Sequence, residues 1–239
     1  MSEATLGWLA ADYHLPATYS CRPPLSSANS ALISPAPGPA TVRLALIRAS
    51  LELFGRDVVR DSLFPWIRAA RVLIRPPERV AISGQVLRAY KADEDKGRVA
   101  IGESVIYREI AHAEGVMTVY LEIPLEERGT WETLLRNIGY WGQASSFATC
   151  LEVSECVPET NECAQSLQAV GEQVLLQPFF SCILSEFRDS HVAWQEVVPP
   201  EETPAKTARN PLKLEVYVWP LQVAMRAGRS TLLVRSSFA

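Results

Sequence analysis

The chain has few of the residues with which proteins build disulfide frameworks, metal sites and common catalytic centres. Its five cysteines are an odd number and include no CxxC pair, which argues against both a disulfide framework and a zinc knuckle. There is no Walker phosphate loop, no Rossmann fingerprint, no HExxH or GxSxG motif, and no carboxylate spacing that suggests a metal site. We therefore expect no cofactor and no metal.

Long hydrophobic runs are also missing. No stretch approaches the roughly 18 uninterrupted apolar residues of a membrane helix, and the first residues lack the basic start and apolar run of a signal peptide. The expected location is a reducing cytoplasm, without membrane contact. With 239 residues and 48% hydrophobic content, the chain can bury one sizeable core or two small ones, so we expect a soluble globular protein.

The net charge of −4 conceals an uneven distribution of charge along the chain. Residues 56–98 contain ten Lys and Arg against six Asp and Glu, and residues 203–239 contain six against one. Between these two basic segments, residues 101–202 contain four basic and seventeen acidic residues. Local clusters can bind phosphate whatever the net charge, and arginine suits bidentate phosphate contacts. A solvated surface of mixed charge is the competing explanation.

Hydrophobic periodicity predicts strands and helices separated by polar loops. We expect strands at residues 6–15, 67–74, 82–90, 99–101, 104–110, 117–123, 147–153, 212–219 and 231–235, and helices at residues 40–54 and 131–138. Proline-rich loops are expected at residues 16–39 and 197–211, and residues 165–176 fit a helix or a strand. The polar run KADEDKGR predicts a hairpin, which either binds RNA through its basic residues or is simply solvated.

The helix at residues 40–54 is expected to pack on two sides, because apolar residues lie on two of its faces. Arg48 lies four residues before Glu52 and is expected to form a local ion pair. Arg43 lies in the first turn, where the helix dipole opposes a cation, so it has the better claim to an external anion. An acidic partner elsewhere in the chain explains Arg43 equally well.

Residues 117–147 combine a strand, a helix and a glycine-rich loop. The strand alternates apolar and polar residues, which is typical of one buried face. Gly139 is expected to cap the helix, and Gly142 forms a turn with Tyr140, Trp141 and Gln143. A backbone free of side chains beside exposed aromatic rings is a surface for a polyanion, although Trp141 also suits a buried hydrophobic plug.

The order of these elements predicts an α+β domain of the ferredoxin-like, or RRM-like, kind with additional strands. The chain carries, in this order, the segments ISPAPGPATVRLALIRASLELFG, YREI, VYLEIP, WETLLRNI and GYWGQASS. These segments resemble the fifth Cas protein of type I CRISPR systems, here called the Cas five family, over residues 5–158. Members of this family are RAMP-type, RNA-binding subunits of the Cascade complex in antiviral defence.

The resemblance implies a ferredoxin-like palm at residues 1–158, an inserted hairpin thumb near residues 84–104, and a β-rich extension at residues 159–239 that packs on the palm. It implies that the chain holds the 5′ handle of the CRISPR guide RNA beside the large and backbone subunits, with target DNA reached through the complex. The candidate RNA-binding residues are Arg43, Arg48, Arg88, Lys91, Lys96, Arg98, Tyr107, Arg108, Gly139, Tyr140, Trp141, Gly142 and Gln143. Basic side chains would neutralise phosphates, and aromatic rings would stack on unpaired bases.

Two other functions fit the sequence. Some members of the Cas five family cleave precursor RNA without a metal, which requires a base for the 2′-hydroxyl and an acid or cation for the leaving oxygen. The chain has His14, His112 and His191 for such chemistry, but none stands in a pattern with a lysine. A protein-only scaffold that meets partners through the acidic segment is the third interpretation. We expect a non-catalytic guide-RNA-binding subunit, with the endoribonuclease and the scaffold as alternatives.

Overall fold

The structure is a computed structural model that describes residues 5–24, 30–95, 98–171, 174, 177–198 and 210–238, with side chains described except at residues 30, 31, 89–95 and 98–104. In chain order its elements are β1 (Leu6–His14), β2 (Ser30–Ala31), α1 (Pro39–Phe54), α2 (Arg56–Val58), a π-helical turn (Val59–Leu63), α3 (Phe64–Ala69), β3 (Val72–Arg75), β4 (Arg79–Asp95), β5 (Arg98–Glu114), β6 (Met117–Pro124), a 3₁₀ turn (Leu125–Glu127), α4 (Arg128–Arg136), β7 (Thr149–Glu155), a 3₁₀ turn (Thr160–Glu162), β8 (Gln165–Ser166), α5 (Leu167–Val170), β9 (Phe179–Phe187), α6 (Trp194–Val197), β10 (Leu212–Ala227) and β11 (Ser230–Arg235). Within these ranges no helix has the length and apolar character needed to span a membrane.

Four strands form a palm sheet in the order β3-β6-β1-β7, and each strand is antiparallel to its neighbours. In the chain, α1 lies between β1 and β3, and α4 lies between β6 and β7. The palm therefore consists of two interleaved β-α-β units, which is the ferredoxin-like arrangement. This topology confirms the predicted α+β fold class.

The central strand β6 is buried on both faces, whereas its sequence pattern predicted one buried face. The positions predicted to be buried join the main core together with residues of α1 and α4. On the opposite face of the sheet, Tyr120 packs with Ala10 and Cys163 in a second cluster. The segment around Cys163 covers this face, so Thr118 and Tyr120 are buried as well.

Helix α1 has proline in its first turn, where the missing N–H is not needed. It ends at Gly55, whose φ of 77° is accessible to glycine without strain and whose N–H donates to the carbonyl of Leu51. The side of α1 that faces the core is buried, but the prediction that the helix packs along two full sides is wrong. Three apolar residues of the helix are exposed: Leu44, Leu53 and Phe54.

A second sheet has the strand order β2-β5-β4-β11-β10-β8, and β9 pairs with β10. β4 and β5 pair from Arg79 opposite Glu114 to Asp95 opposite Arg98, so the predicted hairpin is present and extends well beyond its expected limits. β11 pairs with β4 as far as Ser83, and β2 pairs with β5 at two residues. Beyond these contacts the outer arms of the hairpin pair only with each other among the described residues.

Several boundaries differ from the sequence-based expectation. Residues 67–69 belong to α3 rather than to a strand, because Phe64 and Ile67 form a buried helical face that begins with proline in its first turn. The sequence pattern missed β9, and residues 165–176 include both a short strand and a short helix. The closing strands are confirmed as β10 and β11, while most of the expected loop at residues 197–211 lies outside the described residues. The domain division at residue 158 stays a prediction.

We predict that two core thiols resist alkylation in the native protein. Burial raises the pKa of the Cys21 and Cys163 thiols to about 12, well above the ordinary value of 9.0. At pH 8 this leaves a thiolate fraction of about one in ten thousand, compared with about one in ten for an unperturbed thiol. Iodoacetamide labelling followed by peptide mass spectrometry should modify the exposed Cys156 first and the other two only after unfolding. Rapid labelling of native Cys163 would contradict the covered second face of the palm sheet.

Candidate nucleic-acid interface

The glycine-rich loop is a closed turn between α4 and β7. The N–H of Trp141 donates to the Ser146 carbonyl at 3.0 Å, and the N–H of Ser146 donates to the Gln143 carbonyl at 2.9 Å. Gly142 has a φ of 69°, which explains why glycine occupies this position. Gly139 does not cap α4 as expected, because the helix already ends at Asn137. Both glycines are exposed, so the backbone of the loop is accessible.

The aromatic residues of this loop divide into buried and exposed rings. Trp141 has 1% of its surface exposed and packs edge-on against Tyr13, with ring centroids 4.9 Å apart. Trp141 is therefore a hydrophobic plug, and its assignment as an RNA-stacking residue is wrong for this structure. Phe147, which pairs with Tyr140 through an isolated β-bridge, has 59% of its surface exposed. The most exposed ring of the loop is thus that of Phe147, which local sequence patterns do not distinguish from Trp141.

Arg48 and Tyr140 form the side wall of a small surface cavity. The guanidinium carbon of Arg48 lies 3.5 Å from the Tyr140 ring centroid, and a guanidinium nitrogen donates to the Tyr140 carbonyl at 3.4 Å. The expected pair with Glu52 is present at 3.8 Å. The cavity has a volume of about 270 Å³ and is lined by Thr41, Leu44, Ala45, Arg48, Tyr140 and Gly142. Gln143 is half-buried nearby in the chain.

Arg43 is used inside the protein and does not reach an external anion. Its guanidinium donates to the Glu186 carboxylate at 2.5 Å and to the Ala70 carbonyl at 2.7 Å. It also lies 5.7 Å from the Phe187 ring centroid, and the residue is buried. A buried charge requires a partner, and Glu186 provides it. The expectation that Arg43 binds a phosphate is therefore corrected in favour of the competing explanation.

The candidate residues of the hairpin lie at different distances from its base. Arg88 is exposed, and Tyr107 and Arg108 are half-buried near the point where β2 pairs with β5. The Tyr107 hydroxyl lies over Gly84 on the opposite strand, so a side chain at position 84 would require the Tyr107 ring to move. In the strand register Lys91 lies opposite Gly102 and Arg98 lies opposite Asp95. The side chains of these two residues, and Lys96 as a whole, lie outside the described part of the chain.

The fold brings the two basic segments of the sequence together. β11, from the C-terminal basic segment, is hydrogen-bonded along β4, from the first basic segment. The N–H of Gly84 donates to the Arg229 carbonyl at 2.9 Å, so the turn between β10 and β11 lies beside the hairpin. Arg226 and Arg229 are exposed at this turn. Sequence reasoning missed both residues, although the charge count of residues 203–239 pointed to this segment.

A short segment connects the glycine-rich loop to the hairpin. The N–H of Ser20 donates to the Ser146 hydroxyl at 3.1 Å, and Tyr19 exchanges two backbone hydrogen bonds of 2.9 Å with Ala111 of β5. Two exposed arginines flank the loop and were also missed: Arg22, which follows this segment, and Arg136, at the end of α4. Burial raises the pKa of the Cys150 thiol, and the charge of Arg136 opposes this rise.

The three histidines are distributed over separate elements. His14 is the last residue of β1, and His112 lies on β5 opposite Ala81. His191 lies in the loop before α6, where its backbone N–H donates to the Asp189 carboxylate at 2.7 Å. All three are exposed. The described residues thus do not gather the histidines into one site.

Comparison with known proteins gives one informative sequence match. The CRISPR-associated protein Cas5 of Archaeoglobus fulgidus is 30% identical over 84 residues, which cover 35% of this chain and 37% of that protein. The match therefore spans little more than a third of the relative, and it confirms the predicted resemblance to the Cas five family. A crystal structure of a CRISPR protein from the same organism aligns with a TM-score of 0.40 and 14% identity, over 98% of this chain and 93% of the other; this score is too low to establish a shared fold. No family model matches the chain.

We predict that Arg43 contributes to stability rather than to RNA binding. Arg43→Ala leaves the Glu186 carboxylate without its cation and should lower the free energy of unfolding by about 3–5 kcal/mol. The double variant Arg43→Met with Glu186→Leu removes both charges and should regain most of this loss. Urea denaturation followed by tryptophan fluorescence measures the free energy of unfolding of both variants. An unchanged stability of Arg43→Ala, together with weaker RNA binding, would contradict this role.

Proposed function

We propose that this chain, whose similarity to a Cas5 protein supports a CRISPR-associated role, is a non-catalytic subunit that binds the 5′ handle of a CRISPR guide RNA. The observation that carries the proposal is the meeting of the two basic segments in one sheet, through the pairing of β11 with β4. An acidic segment separates them in the sequence, and the fold removes this separation. The guide RNA and the backbone and large subunits of a Cascade complex are the proposed partners.

The proposed RNA path runs from the hairpin to the glycine-rich loop. Arg226 and Arg229 at the turn between β10 and β11, together with Arg88 midway along β4, present exposed basic side chains for phosphates. Lys91, Lys96 and Arg98 remain proposed phosphate contacts on the basis of the sequence. The segment at residues 19–20 connects this surface to the loop, which Arg22 and Arg136 flank. Positive charge along a path favours a polyanion irrespective of its sequence.

The loop supplies the contacts to bases. Phe147 offers an exposed ring for stacking, and the cavity beside it is lined by the Tyr140 ring and the Leu44 side chain. Arg48 already covers one face of Tyr140, so a base entering the cavity would contact both an aromatic and a guanidinium plane. Unpaired nucleotides, such as those of a single-stranded handle, expose their bases for contacts of this kind.

We predict that the basic surface determines the salt dependence of RNA binding. The double variant Arg88→Gln with Arg229→Gln should weaken binding of single-stranded CRISPR repeat RNA and reduce the slope of log affinity against log salt by about 1.4, since each phosphate contact contributes about 0.7. Fluorescence anisotropy between 50 and 200 mM salt, which are roughly the limits used for such slopes, measures this change.

The matched control is Arg60→Gln with Lys213→Gln. It removes two positive charges that the structure pairs with Asp57, Asp61 and Glu215, away from the proposed path. This control should retain the wild-type slope. An equal decrease of the salt slope in both double variants would mean that net charge, rather than this surface, determines RNA binding. Cleavage of the repeat RNA by the purified chain would favour the endoribonuclease alternative instead.

We predict that Phe147 contributes base stacking. Phe147→Ala should reduce the binding free energy by about 1–3 kcal/mol and leave the salt slope unchanged, because stacking involves no phosphate. Phe54→Ala, which truncates an exposed phenylalanine at the far end of α1, serves as the control. The measurement is again anisotropy with repeat RNA at fixed salt. Equal affinities of wild type and Phe147→Ala would exclude Phe147 from the interface.

A further inference from the structure

The cavity between α1 and the glycine-rich loop has the size of a site for one nucleobase. Its volume of about 270 Å³ lies just below the roughly 300 Å³ at which pockets for drug-sized ligands begin. Thr41, Leu44, Ala45 and Arg48 line it along one face of α1, at the helical spacing i, i+3, i+4 and i+7. Seven residues of an α-helix span about 10 Å, so the cavity suits one flat ring system rather than a longer ligand.

The walls of this cavity are largely apolar. Ala45 is buried, Leu44 is exposed, and Tyr140 contributes an aromatic ring from the loop. A Cβ at position 142 would lie 3.6 Å from the methyl group of Thr41, so α1 and the loop approach each other closely here. Such walls suit the flat, largely apolar face of a base, whereas a phosphate would lose its hydration without enough polar partners.

Arg48 retains hydrogen-bond donors that the protein does not use. Its guanidinium carbon lies 3.5 Å from the Tyr140 ring centroid, and one terminal nitrogen donates to the Tyr140 carbonyl at 3.4 Å. The Nε atom is buried and has no hydrogen-bond partner in the described part of the chain. The nearest carboxylate oxygen of Glu52 is 3.8 Å away, which is too far for a hydrogen bond. A guanidinium has five N–H donors, so several remain for a ligand.

The charges beside the cavity favour a neutral ligand with acceptor atoms. Glu52 lies close enough to Arg48 to offset much of its positive charge, and its carboxylate would repel a phosphate. Among the described residues, no carboxylate or amide side chain lines the cavity. The strongest polar contacts available to a ligand are therefore the N–H groups of Arg48. They require acceptors, and an amino group placed against them would be left without a partner.

We infer that this cavity selects guanine, to which Arg48 donates hydrogen bonds at O6 and N7. Guanine presents these two acceptors side by side, in the spacing that matches the fork of an arginine. Adenine places an amino group beside N7, cytosine presents an amino group, and uracil offers O4 alone on the corresponding edge. The inference rests on the proposed RNA function and deepens it, because it makes Arg48 a residue that determines base specificity rather than a phosphate contact.

The test compares single-stranded RNAs of uridine that carry one central guanosine, adenosine, inosine or 7-deazaguanosine. All four have the same charge, so the phosphate contribution to binding is equal. Fluorescence anisotropy with the wild-type chain at fixed salt should show that guanosine binds about tenfold more tightly than adenosine. Inosine should match guanosine because it keeps O6 and N7, and 7-deazaguanosine should bind more weakly because it lacks N7. Equal affinities of the guanosine and adenosine RNAs would overturn the inference.

The variant Arg48→Lys separates base selection from charge. Lysine keeps the positive charge but lacks the planar fork, so the variant should bind the guanosine and adenosine RNAs alike, with an unchanged salt slope. The same substitution at the exposed Arg136, which flanks the loop, is the matched control and should keep the preference for guanosine. A preference that persists in Arg48→Lys would contradict the assignment to Arg48. Failure of the wild-type chain to bind any of the four RNAs would contradict the proposed function as well, whereas binding without base preference would contradict this inference alone.

Discussion

The ion pair between Arg43 and Glu186 joins the two sheets of this protein. Arg43 lies on α1, which covers the palm, and Glu186 lies on β9 of the second sheet. Both side chains are largely excluded from water, so either charge alone would be strongly destabilising. The hydroxyl of Tyr217 donates to the same carboxylate at 3.4 Å, and burial raises the pKa of Tyr217, which keeps this donor protonated. The pair therefore requires α1 and β9 to meet in one arrangement.

This arrangement has consequences for the candidate RNA surface. Arg48 lies five residues after Arg43 and so on a different face of α1, where it contacts Tyr140 of the glycine-rich loop. A helix held by Arg43 on one side thus presents Arg48 to the loop on another. In the second sheet, β11 pairs with β4. This pairing places the C-terminal arginines beside the hairpin. The hairpin surface therefore includes residues from outside the palm segment, whereas Arg48 and Tyr140 both belong to it.

Charge is separated in space along the palm sheet. The loop end carries exposed arginines at positions 22 and 136, while the opposite end carries the exposed carboxylates of Glu126, Glu127 and Glu159. This separation favours an anion at the loop end and disfavours one at the opposite end, about a strand length away.

The sequence by itself determined the strand and helix pattern of the palm, the hairpin and the closing strands, because these depend on local periodicity and turn residues. It also indicated the glycine-rich loop and the basic segments. Tertiary structure decided which side chains remain accessible. Arg43 and Trp141 are residue types that often bind RNA. In the fold, however, Arg43 forms a buried ion pair with Glu186, and Trp141 packs against the Tyr13 ring. Arg229 reaches the hairpin only through the pairing of β11 with β4, and Phe147 is exposed because the core takes up Trp141 instead. Local sequence patterns predict neither outcome, since burial and pairing between distant segments depend on the whole fold.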